Sequence, residues 1–421
     1  MNNIIPHKWE VKKFDEIFDV VTDYVANGSF ASLRENVSYK DDEDYAILVR
    51  LQDYSNKFQK NFVYVDEHAY NFLSKSKLNP NDLVICNVGA AGIIFKVPDL
   101  KKPMTLGPNS ILVRTNESSD YMYYYIQSSI GQQKLKDITT TTAQPKFNKT
   151  DFKSIKCILP PLKEQQKIAE ILSSVDAAID KTEQVIAKTE EVKKGLMQQL
   201  LTKGIGHTEF KQTTIGEIPV EWEAIKAKDI FSNVSIKNNY NEELLSVTQE
   251  NGVVPRKDLE SRVTMPEGSV KSYKLVVSGD FIISLRSFQG GLELSKIRGI
   301  VSPAYTILQS QIEIDEEYFK YFFKSMWFIN RLNSAVIGIR DGKQISYSVF
   351  SDLYFPIPPL NEQRRISNIL NNIDKRLDIE KGYLNQQQQI KQGLMQQLLT
   401  GKTRVKEATM YGFLKELGYC E

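Results

Sequence analysis

Residues 160–202 read PPLKEQQKIAEILSSVDAAIDKTEQVIAKTEEVKKGLMQQLLT, and residues 358–400 read PPLNEQRRISNILNNIDKRLDIEKGYLNQQQQIKQGLMQQLLT. The two stretches align without a gap at a constant offset of 198, and 19 of their 43 positions are identical. Identity is densest at the two ends, where both copies share Pro-Pro-Leu-x-Glu-Gln and Gly-Leu-Met-Gln-Gln-Leu-Leu-Thr. A match of this length at one offset indicates an internal repeat.

Each copy has the pattern of a long helix. Apolar residues recur mostly in alternating steps of four and three, which is typical of a coiled-coil seam. These residues are Ile168, Leu172, Val175, Ile179, Ile186, Leu196 and Leu200, then Ile366, Leu370, Ile373, Leu377, Leu384, Leu394 and Leu398. Polar residues interrupt the seam, among them Lys193 and Lys391. Two prolines precede each pattern, and Gly204 and Gly401 follow, as expected at helix starts and ends.

The order of the chain predicts how the two helices pair. The first helix leaves one globular part and must reach the next, and the second helix leaves that next part. Antiparallel pairing would let the second helix return toward the first globular part. We therefore expect a paired rod of roughly 60 Å with one globular part at each end, related by an approximate two-fold axis.

A weaker repeat opens each globular part. Residues 5–10 read IPHKWE and residues 218–223 read IPVEWE, so we expect Trp9 and Trp222 to anchor these segments in their cores. Between the repeats the two interiors diverge. The predicted boundaries are a globular part at 1–158, a helix at 159–204, a globular part at 205–356, a helix at 357–401 and a tail at 402–421. The tail has an apolar stripe that could pack back on the first part or dock a partner.

The globular parts have a mixed pattern. Runs rich in β-branched residues, such as 83–86 and 281–283, precede loops that contain glycine, which is typical of strands. Aromatic clusters at 121–125 and 318–323 have helical spacing, and we interpret them as core rather than as base-stacking surfaces. The predicted fold class is α+β, with two mixed α/β globular domains joined by two long antiparallel coiled-coil helices as a pseudo-two-fold repeat.

The composition excludes several classes of protein. The chain has 421 residues, of which 41% are hydrophobic and 25% charged, with a formal net charge of +2. Such a chain is neither disordered nor collagen-like, and its longest apolar runs are too short to span a membrane. Three cysteines and three histidines, all far apart, argue against a disulfide framework and against a structural zinc site. With no secretion signal visible, we expect a cytoplasmic location.

Two similar parts at a set separation suit a partner with two sites along one face. Duplex DNA is such a partner, because half-sites read from one side lie about 34–36 Å apart or a multiple of that. Divergent interiors on a repeated frame predict two different half-sites, hence an asymmetric sequence in two parts. A homodimer would instead read a palindrome.

The whole layout resembles the specificity subunit of type I restriction-modification systems. The two Pro-Pro-Leu-x-Glu-Gln-x-x-Ile segments, at 160–168 and 358–366, carry the resemblance. The two Gly-Leu-Met-Gln-Gln-Leu-Leu-Thr segments and the two Ile-Pro-x-x-Trp-Glu segments complete it, in the order that the family has. The similarity covers essentially the whole chain, because the family consists of two target recognition domains separated by two conserved helical regions.

This resemblance implies a function that composition alone does not. Each target recognition domain would read one part of a split target in duplex DNA. The helical regions would act as a spacer and would dock two methyltransferase subunits, which carry S-adenosylmethionine, and nuclease and motor subunits that use ATP and Mg can join. This chain would hold no cofactor, no metal and no catalytic residue. In agreement, the sequence has no P-loop, no Asn-Pro-Pro-Tyr-type methyltransferase motif and no convincing cluster of nuclease carboxylates.

Residues that read DNA should be polar, in loops and near basic groups, since Arg and Lys pair with guanine and Asn and Gln with adenine. In the first part we favour the tract at 139–149 and the loop at 87–92; in the second, the loops at 286–290 and 338–344. The candidates are Asn87, Thr140, Thr141, Thr142, Gln144, Lys146, Asn148, Lys149, Arg286, Ser287, Gln289, Arg340, Lys343 and Gln344. Weaker candidates for phosphate contact are Lys57, Lys60, Arg256 and Lys257. For the repeated Asp176, Asp374, Asp180 and Asp378, a solvated helix face and a contact with a partner subunit are both open, and we favour the solvated face.

Two alternatives remain at this point. The chain could be a scaffold whose coiled coil spaces two protein-interaction modules, or a DNA-modifying enzyme. The missing catalytic motifs count against the enzyme. Binding to duplex DNA that weakens steeply with salt would separate a specificity subunit from a scaffold.

Overall fold

The computed structural model describes residues 6–249, 251–259, 270–284, 287–336 and 345–405. These residues form two compact units: the first holds the described residues up to Thr182 and from Tyr383 onward, and the second holds those from Glu183 to Gly382. Within these ranges, no helix is both long enough and apolar enough to cross a membrane.

The first unit is built from short strands and helices followed by one long helix. Its strands are β1 Glu10–Lys13, β2 Phe18–Asp23, β3 Ala46–Val49, β4 Tyr64–Val65, β5 Lys77–Leu78, β6 Leu83–Cys86, β7 Ile94–Lys96, β8 Met104–Leu106, β9 Ser110–Thr115 and β10 Lys156–Leu159. Its helices are α1 Phe14–Ile17, α2 Phe30–Asn36, α3 Leu51–Ser55, α4 Glu67–Phe72, α5 Ser119–Gln127, α6 Ser129–Ile138, α7 Lys149–Ser154 and α8 Leu162–Lys203. Short 3-10 helices lie at Tyr24–Asn27 and Ser74–Ser76. From Glu183 on, α8 belongs to the second unit.

Two four-stranded sheets form the centre of the first unit. One has the order β2-β9-β6-β7 and is antiparallel throughout; the other has the order β4-β3-β8-β5, with β3 and β8 parallel. Apolar side chains from both sheets, such as Ile47, Val84 and Leu112, share one core. The first sheet also contributes to a second core with the aromatic helix α5 and with α8. In addition, β1 pairs with β10, which directly precedes α8.

The second unit repeats this plan. Its strands are β11 Phe210–Thr213, β12 Gly216–Pro219, β13 Glu223–Lys226, β14 Phe231–Val234, β15 Leu245–Thr248, β16 Gly252–Pro255, β17 Lys274–Val276, β18 Phe281–Ile283, β19 Glu293–Leu294, β20 Gly299–Val301, β21 Thr306–Ser310 and β22 Tyr354–Ile357. Its helices are α9 Ala227–Ile230, α10 Ser287–Gly290, α11 Glu316–Lys324, α12 Met326–Val336, α13 Tyr347–Ser351 and α14 Leu360–Leu398, with 3-10 helices at Arg256–Asp258 and Val270–Ser272. From Tyr383 on, α14 belongs to the first unit.

The sheet order of the second unit follows that of the first, with an additional pair β11-β12. β14-β21-β18-β19 reproduces β2-β9-β6-β7, and β13 pairs with β22 as β1 pairs with β10. β16 pairs with β15 and β17 with β20, while a parallel bridge from Leu244 to Ile300 joins the two pairs. The predicted α+β fold class with an internal repeat is confirmed, and the repeat extends into interiors whose sequences diverge.

In each unit, one half of α8 packs against one half of α14 in the antiparallel sense that the sequence predicts. In the first unit, Ile168 and Leu172 share a core with Leu394 and Leu398. In the second, Leu200 shares a core with Ile366 and Leu370. These are the seam residues of the heptad pattern, so the apolar periodicity found the packed face.

The polar breaks in the seam have a definite role. In the first unit, Lys391 Nζ lies 2.6 Å from a carboxylate oxygen of Asp176, which also accepts a hydrogen bond of 2.8 Å from the hydroxyl of Tyr124. In the second unit, Lys193 Nζ lies 2.5 Å from a carboxylate oxygen of Asp374, and Asp374 accepts a hydrogen bond of 2.6 Å from the hydroxyl of Tyr321. The interpretation of Asp176 and Asp374 as solvated is therefore wrong, whereas Asp180 and Asp378 are exposed as expected. At these two positions of the seam a lysine replaces an apolar residue, and it forms an ion pair with the repeated aspartate of the other helix.

The repeated Glu-Gln pair joins each long helix to its globular part. The Gln165 side chain accepts a hydrogen bond from Ser118 N and donates one to Pro160 O; Gln363 does the same with Asp315 N and Pro358 O. Glu164 and Glu362 accept hydrogen bonds from the indole N–H groups of Trp9 and Trp222, at 3.1 and 2.9 Å. Both tryptophans are buried, as predicted. The aromatic clusters are likewise core, with Tyr121, Tyr318 and Phe319 fully buried.

Candidate nucleic-acid interface

The ends of many strands meet at one edge of the first unit. Because β3 and β8 are parallel, both end at this edge. β4, the antiparallel partner of β3, begins there, and β9 begins there because only residues 107–109 separate it from the end of β8. Cys86 at the end of β6 pairs with Ser110 at the start of β9, so β6 also ends there and β7 begins there. The connections 50–63, 87–93 and 107–109 therefore lie together, at what we call the loop edge of the unit.

The polar tract at 139–148 joins the same edge. Gly89 N donates a hydrogen bond of 2.8 Å to Pro145 O, and Phe147 N donates one of 3.0 Å to Asn87 O. The Asn87 side chain donates to Phe147 O at 3.3 Å, across 60 positions of sequence. The structure thus brings together the two segments of the first part that the sequence analysis favoured.

Five of the candidate residues are exposed on this edge: Thr140, Thr141, Thr142, Gln144 and Lys146. Hydrogen bonds inside the tract hold its backbone: Thr142 Oγ1 donates one of 2.9 Å to Gln144 O, and Lys146 N donates one of 3.2 Å to Thr140 Oγ1. A hydrogen-bonded tract presents its side chains in a defined arrangement, which reduces the entropy lost when a partner binds.

Three other candidates have roles inside the fold. The Asn87 side chain holds the tract, as described above. Asn148 caps α7, with its side-chain oxygen 2.8 Å from Asp151 N, and Lys149 Nζ lies 2.9 Å from Asp23. DNA contact by these residues stays a prediction, and it would have to compete with these bonds.

A groove of about 460 Å³ runs between the 87–93 connection and α6. Glycine and alanine residues at 89–91 form one wall, and Gln132, Gln133 and Lys136 of α6 lie on the other. The Gln132 side chain donates 3.0 Å to Gly92 O and so holds the two walls together. Small residues leave room on one side, and amide and amine groups on the other supply hydrogen bonds.

The loop edge is basic although the whole chain is nearly neutral. The connections that form it carry four basic residues and one acidic residue, and the acidic one, Asp53, is fully buried. The basic residues are Arg50, Lys57, Lys60 and Lys146. The acidic run at 41–44 directly precedes β3 and so lies at the opposite edge of the sheet. This polarity suits a polyanion bound at the loop edge.

The sequence analysis missed the 50–63 and 107–109 connections as parts of this site, apart from Lys57 and Lys60. No motif marks them. The parallel pairing of β3 with β8 brings the 50–63 connection beside 107–109, where Gly107 N donates a hydrogen bond of 2.8 Å to Val49 O. The pairing of β6 with β9 in turn brings 107–109 beside the 87–93 connection. A parallel pair joins segments far apart in sequence, so periodicity gives no signal for it.

The second unit has a matching loop edge, formed by the connections that follow β15, β18 and β20. Ser287 and Gln289 lie there, in α10. Ser287 is buried and its hydroxyl accepts 2.8 Å from Ser284 N, so it caps the turn. Arg286, Arg340, Lys343 and Gln344 lie outside the described residues.

Comparison with known proteins identifies similar chains along the whole length. The sequence model of the type I restriction modification DNA specificity domain matches residues 6–191 and 219–391. The type I restriction enzyme MjaVIII specificity subunit of Methanocaldococcus jannaschii is 32% identical over 352 residues, 78% of this chain and 80% of that protein. The putative MjaX specificity subunit of the same organism is 29% identical over 418 residues, 96% of this chain and 95% of the relative.

Two solved structures share the fold. The S subunit of a type I restriction-modification system from M. genitalium has a TM-score of 0.53 at 15% identity and covers 94% of this chain and 97% of its own. A chain from a study of complex assembly and conformational transition in the type I restriction-modification system has a TM-score of 0.55 at 14% identity and covers 95% and 100%. At these identities the likeness is one of fold.

Proposed function

Because this chain belongs to the family of type I restriction-modification DNA specificity subunits, we propose that it recognises an asymmetric, two-part sequence in duplex DNA, one part with each unit. The loop edge of the first unit would read one part, and the matching edge of the second unit would read the other. The alternatives of a scaffold and of a DNA-modifying enzyme are set aside on this membership.

One observation carries the proposal. The two units have the same strand order, and the connections that differ between them include those at the same edge. Two domains that recognise different DNA sequences need the same scaffold but different loops, because the loops carry recognition and the scaffold positions them. The basic character of the first loop edge supports contact with phosphates, which supply most of the affinity for DNA.

We also propose that the long helices set the spacing of the two DNA parts and dock two methyltransferase subunits. Support for docking comes from apolar side chains that the helices leave exposed in the second unit: Val185, Val192 and Ile379. A groove of about 440 Å³ lies beside two of them, lined also by Ile373 and Arg376. Exposed apolar surface of this kind is typical of sites for protein partners.

S-adenosylmethionine would then be carried by the methyltransferase subunits, and ATP and Mg by nuclease and motor subunits where these join. On this proposal the chain itself performs no catalytic step. Its part is to bind DNA and to position partners over the target.

The test uses the chain together with its methyltransferase subunit in a host without other DNA methylation. We expect methylation confined to one split sequence. We also expect the logarithm of the complex's binding constant for duplex DNA to fall linearly with the logarithm of the salt concentration, with a slope of about −0.9 for each phosphate contacted. Exchanging residues 27–147 for the corresponding segment of a relative should change only one part of that sequence. A chimera that changed both parts, or equal affinity for all duplexes, would contradict the proposal.

A further inference from the structure

We propose that residues 50–62 form a preorganised DNA-reading element of the first unit that has no equivalent among the described residues of the second, with Gln59 and Lys60 as its contact residues. This inference rests on the proposed function and assigns part of the base reading to a segment that no motif marks.

The comparison of the two units singles out this segment. Between β3 and β4 the first unit has fourteen residues, 50–63, which include α3. Between the equivalent strands β15 and β16 the second unit has only three, 249–251. Both connections follow equivalent strands, β3 and β15, at the loop edge of their own unit, so the first unit has an insertion at the edge where the candidate tract 139–149 lies.

The insertion is attached to the fold by several bonds at its base. The buried carboxylate of Asp53 accepts a hydrogen bond of 2.7 Å from Arg50 N and lies 3.3 Å from the Arg50 guanidinium. The same guanidinium donates a hydrogen bond of 3.1 Å to Asn61 O. The ring of Tyr54 stacks on Phe95 of β7 with centroids 4.9 Å apart. The ring of Phe58 lies 5.9 Å from the same ring. These contacts hold both arms of the insertion.

The backbone of the insertion adopts an uncommon conformation. Lys57, Phe58 and Asn61 have φ angles of 53°, 52° and 62°, in the left-handed region that residues other than glycine rarely adopt. Phe58 N donates 2.8 Å to Asp53 O, and Gln59 N donates 3.2 Å to Asn56 O, which closes the turn. Strained conformations of this kind cluster at binding sites, where the surrounding structure holds them.

The turn places Gln59 and Lys60 between the left-handed residues, with both side chains exposed. An amide can bond adenine at N6 and N7 with two hydrogen bonds, and an ammonium group can contact guanine or phosphate. Because the backbone is already held, little entropy is lost when these side chains bind. The pair therefore has the chemistry of base reading and a rigid support.

The experiment compares the DNA sequences that the complete complex methylates in a host without other DNA methylation. The main variant is Gln59→Ala with Lys60→Ala. The matched control is Lys101→Gln, which removes one exposed positive charge from the connection between β7 and β8, at the opposite edge of the same sheets. A third variant, Gln59→Glu, keeps the size of the side chain but replaces its amide donor with an acceptor.

We expect the main variant to lose at least about fivefold discrimination at one base position of one part, while the other part and the spacing stay unchanged. Gln59→Glu should alter preference at that same position, and Lys101→Gln should leave the sequence as it is. An unchanged sequence with both Gln59 variants, or equal weakening of both parts, would overturn the inference. If the unaltered complex methylates no split sequence, the proposed function itself fails.

Discussion

Asp82 in the first unit and Asp280 in the second stand at the same place, just before β6 and β18, and they differ in their partners. Both carboxylates cap the preceding turn, accepting hydrogen bonds from Asn79 N and Val277 N. Asp82 also forms a double hydrogen bond with Arg114, at 2.8 and 2.6 Å. The position of that arginine in β21 is taken by Gln309, which gives Asp280 a single bond of 3.2 Å.

The same contrast occurs where the long helices begin. Glu164 accepts from Trp9 and forms a double hydrogen bond with Arg404, at 2.7 and 2.8 Å. Glu362 accepts from Trp222 and from Ile205 N, and its third partner is His207, 2.9 Å away. Arg404 and His207 both follow the glycine that ends a long helix by three positions.

The comparisons of Asp82 with Asp280 and of Glu164 with Glu362 show which hydrogen bonds of a carboxylate the repeated fold requires. The hydrogen bond that shapes the backbone or joins helix to sheet is the same in both units, whereas the additional partner of the carboxylate differs: it is an arginine in the first unit, and Gln309 or His207 in the second. A buried carboxylate without a cation still needs its hydrogen bonds, so the repeat preserves the acceptor role and lets the charge partner vary.

The largest effect is expected from removing the repeated tryptophans. Trp222→Ala should lower the free energy of unfolding by about 3–5 kcal/mol, because it empties a fully buried site and removes the indole hydrogen bond to Glu362. Trp9→Ala should cost less, since Trp9 is slightly exposed and Glu164 keeps its arginine. Denaturant unfolding of the full chain measures both; a larger loss for Trp9→Ala would break the comparison.

Next is the substitution of each aspartate by asparagine. Asp82→Asn should destabilise by about 1–3 kcal/mol, because it leaves the Arg114 guanidinium, which is partly buried, without its anion. Asp280→Asn should cost less than about 1 kcal/mol at neutral pH, since an amide can still accept from Val277 N and no cation is left behind. Hydrogen exchange of peptides from β6 and from β18 locates each effect in its own unit. Equal losses would show that Arg114 contributes nothing.

The charge partners at the helix starts come third. Arg404→Ala should lower the free energy of unfolding by about 1–2 kcal/mol, reduced from the value for a buried pair because the arginine is about a third exposed. The hydrogen bond to Glu164 raises the pKa of Arg404, so the guanidinium stays charged. Arg404→Lys separates charge from geometry: a full rescue would mean that the double hydrogen bond adds nothing.

The smallest effect is a pH dependence of stability that comes from Asp280. Burial raises the pKa of Asp280 above its ordinary value of 3.8, opposed by the bonds from Val277 and Gln309. A raised pKa in the folded state favours the protonated form, so this contribution to stability is fully present below pH 3.8 and is lost as the pH rises through the raised value. The stability of Asp280→Asn relative to the unaltered chain should therefore rise with pH, by at most about 1.4 kcal/mol per pKa unit, so its cost is largest in acid.

Gln309→Arg sharpens the same point. The substitution introduces beside Asp280 the cation that Asp82 has, and it should stabilise the second unit by roughly 0.5–1 kcal/mol while reducing the pH dependence of Asp280. Unfolding curves at several pH values measure both quantities. A variant that is less stable at every pH would show that the second unit cannot accommodate the arginine.

Much of the fold could be predicted from local pattern. The 4-3 spacing of Ile168, Leu172 and their relatives located the packed face of each helix, because helical periodicity is a local property. The roles of Asp176 and Asp374 could not be predicted this way. Their partners, Lys391 and Lys193, are distant in sequence and come close only when the helices pair.

The candidate site shows the same division. The tract at 139–149 and the loop at 87–92 were found from polar composition and from their place after a strand. Of the insertion at 50–62, only Lys57 and Lys60 were named from the sequence, because the significance of the whole segment depends on a parallel strand pair and on a comparison with the second unit. Asn148 and Lys149 have the residue types of DNA readers, yet the fold uses them to cap α7 and to bind Asp23.

By itself, the sequence determined that the chain is a tandem repeat of a globular part and a long amphipathic helix, since identity at a fixed offset and heptad periodicity are written in residue order. Only the tertiary structure decided which polar residues serve the frame and which remain exposed at the loop edge. The reason is physical: a side chain's hydrogen-bond partners are set by contacts across tens or hundreds of positions, and residue type alone does not specify them.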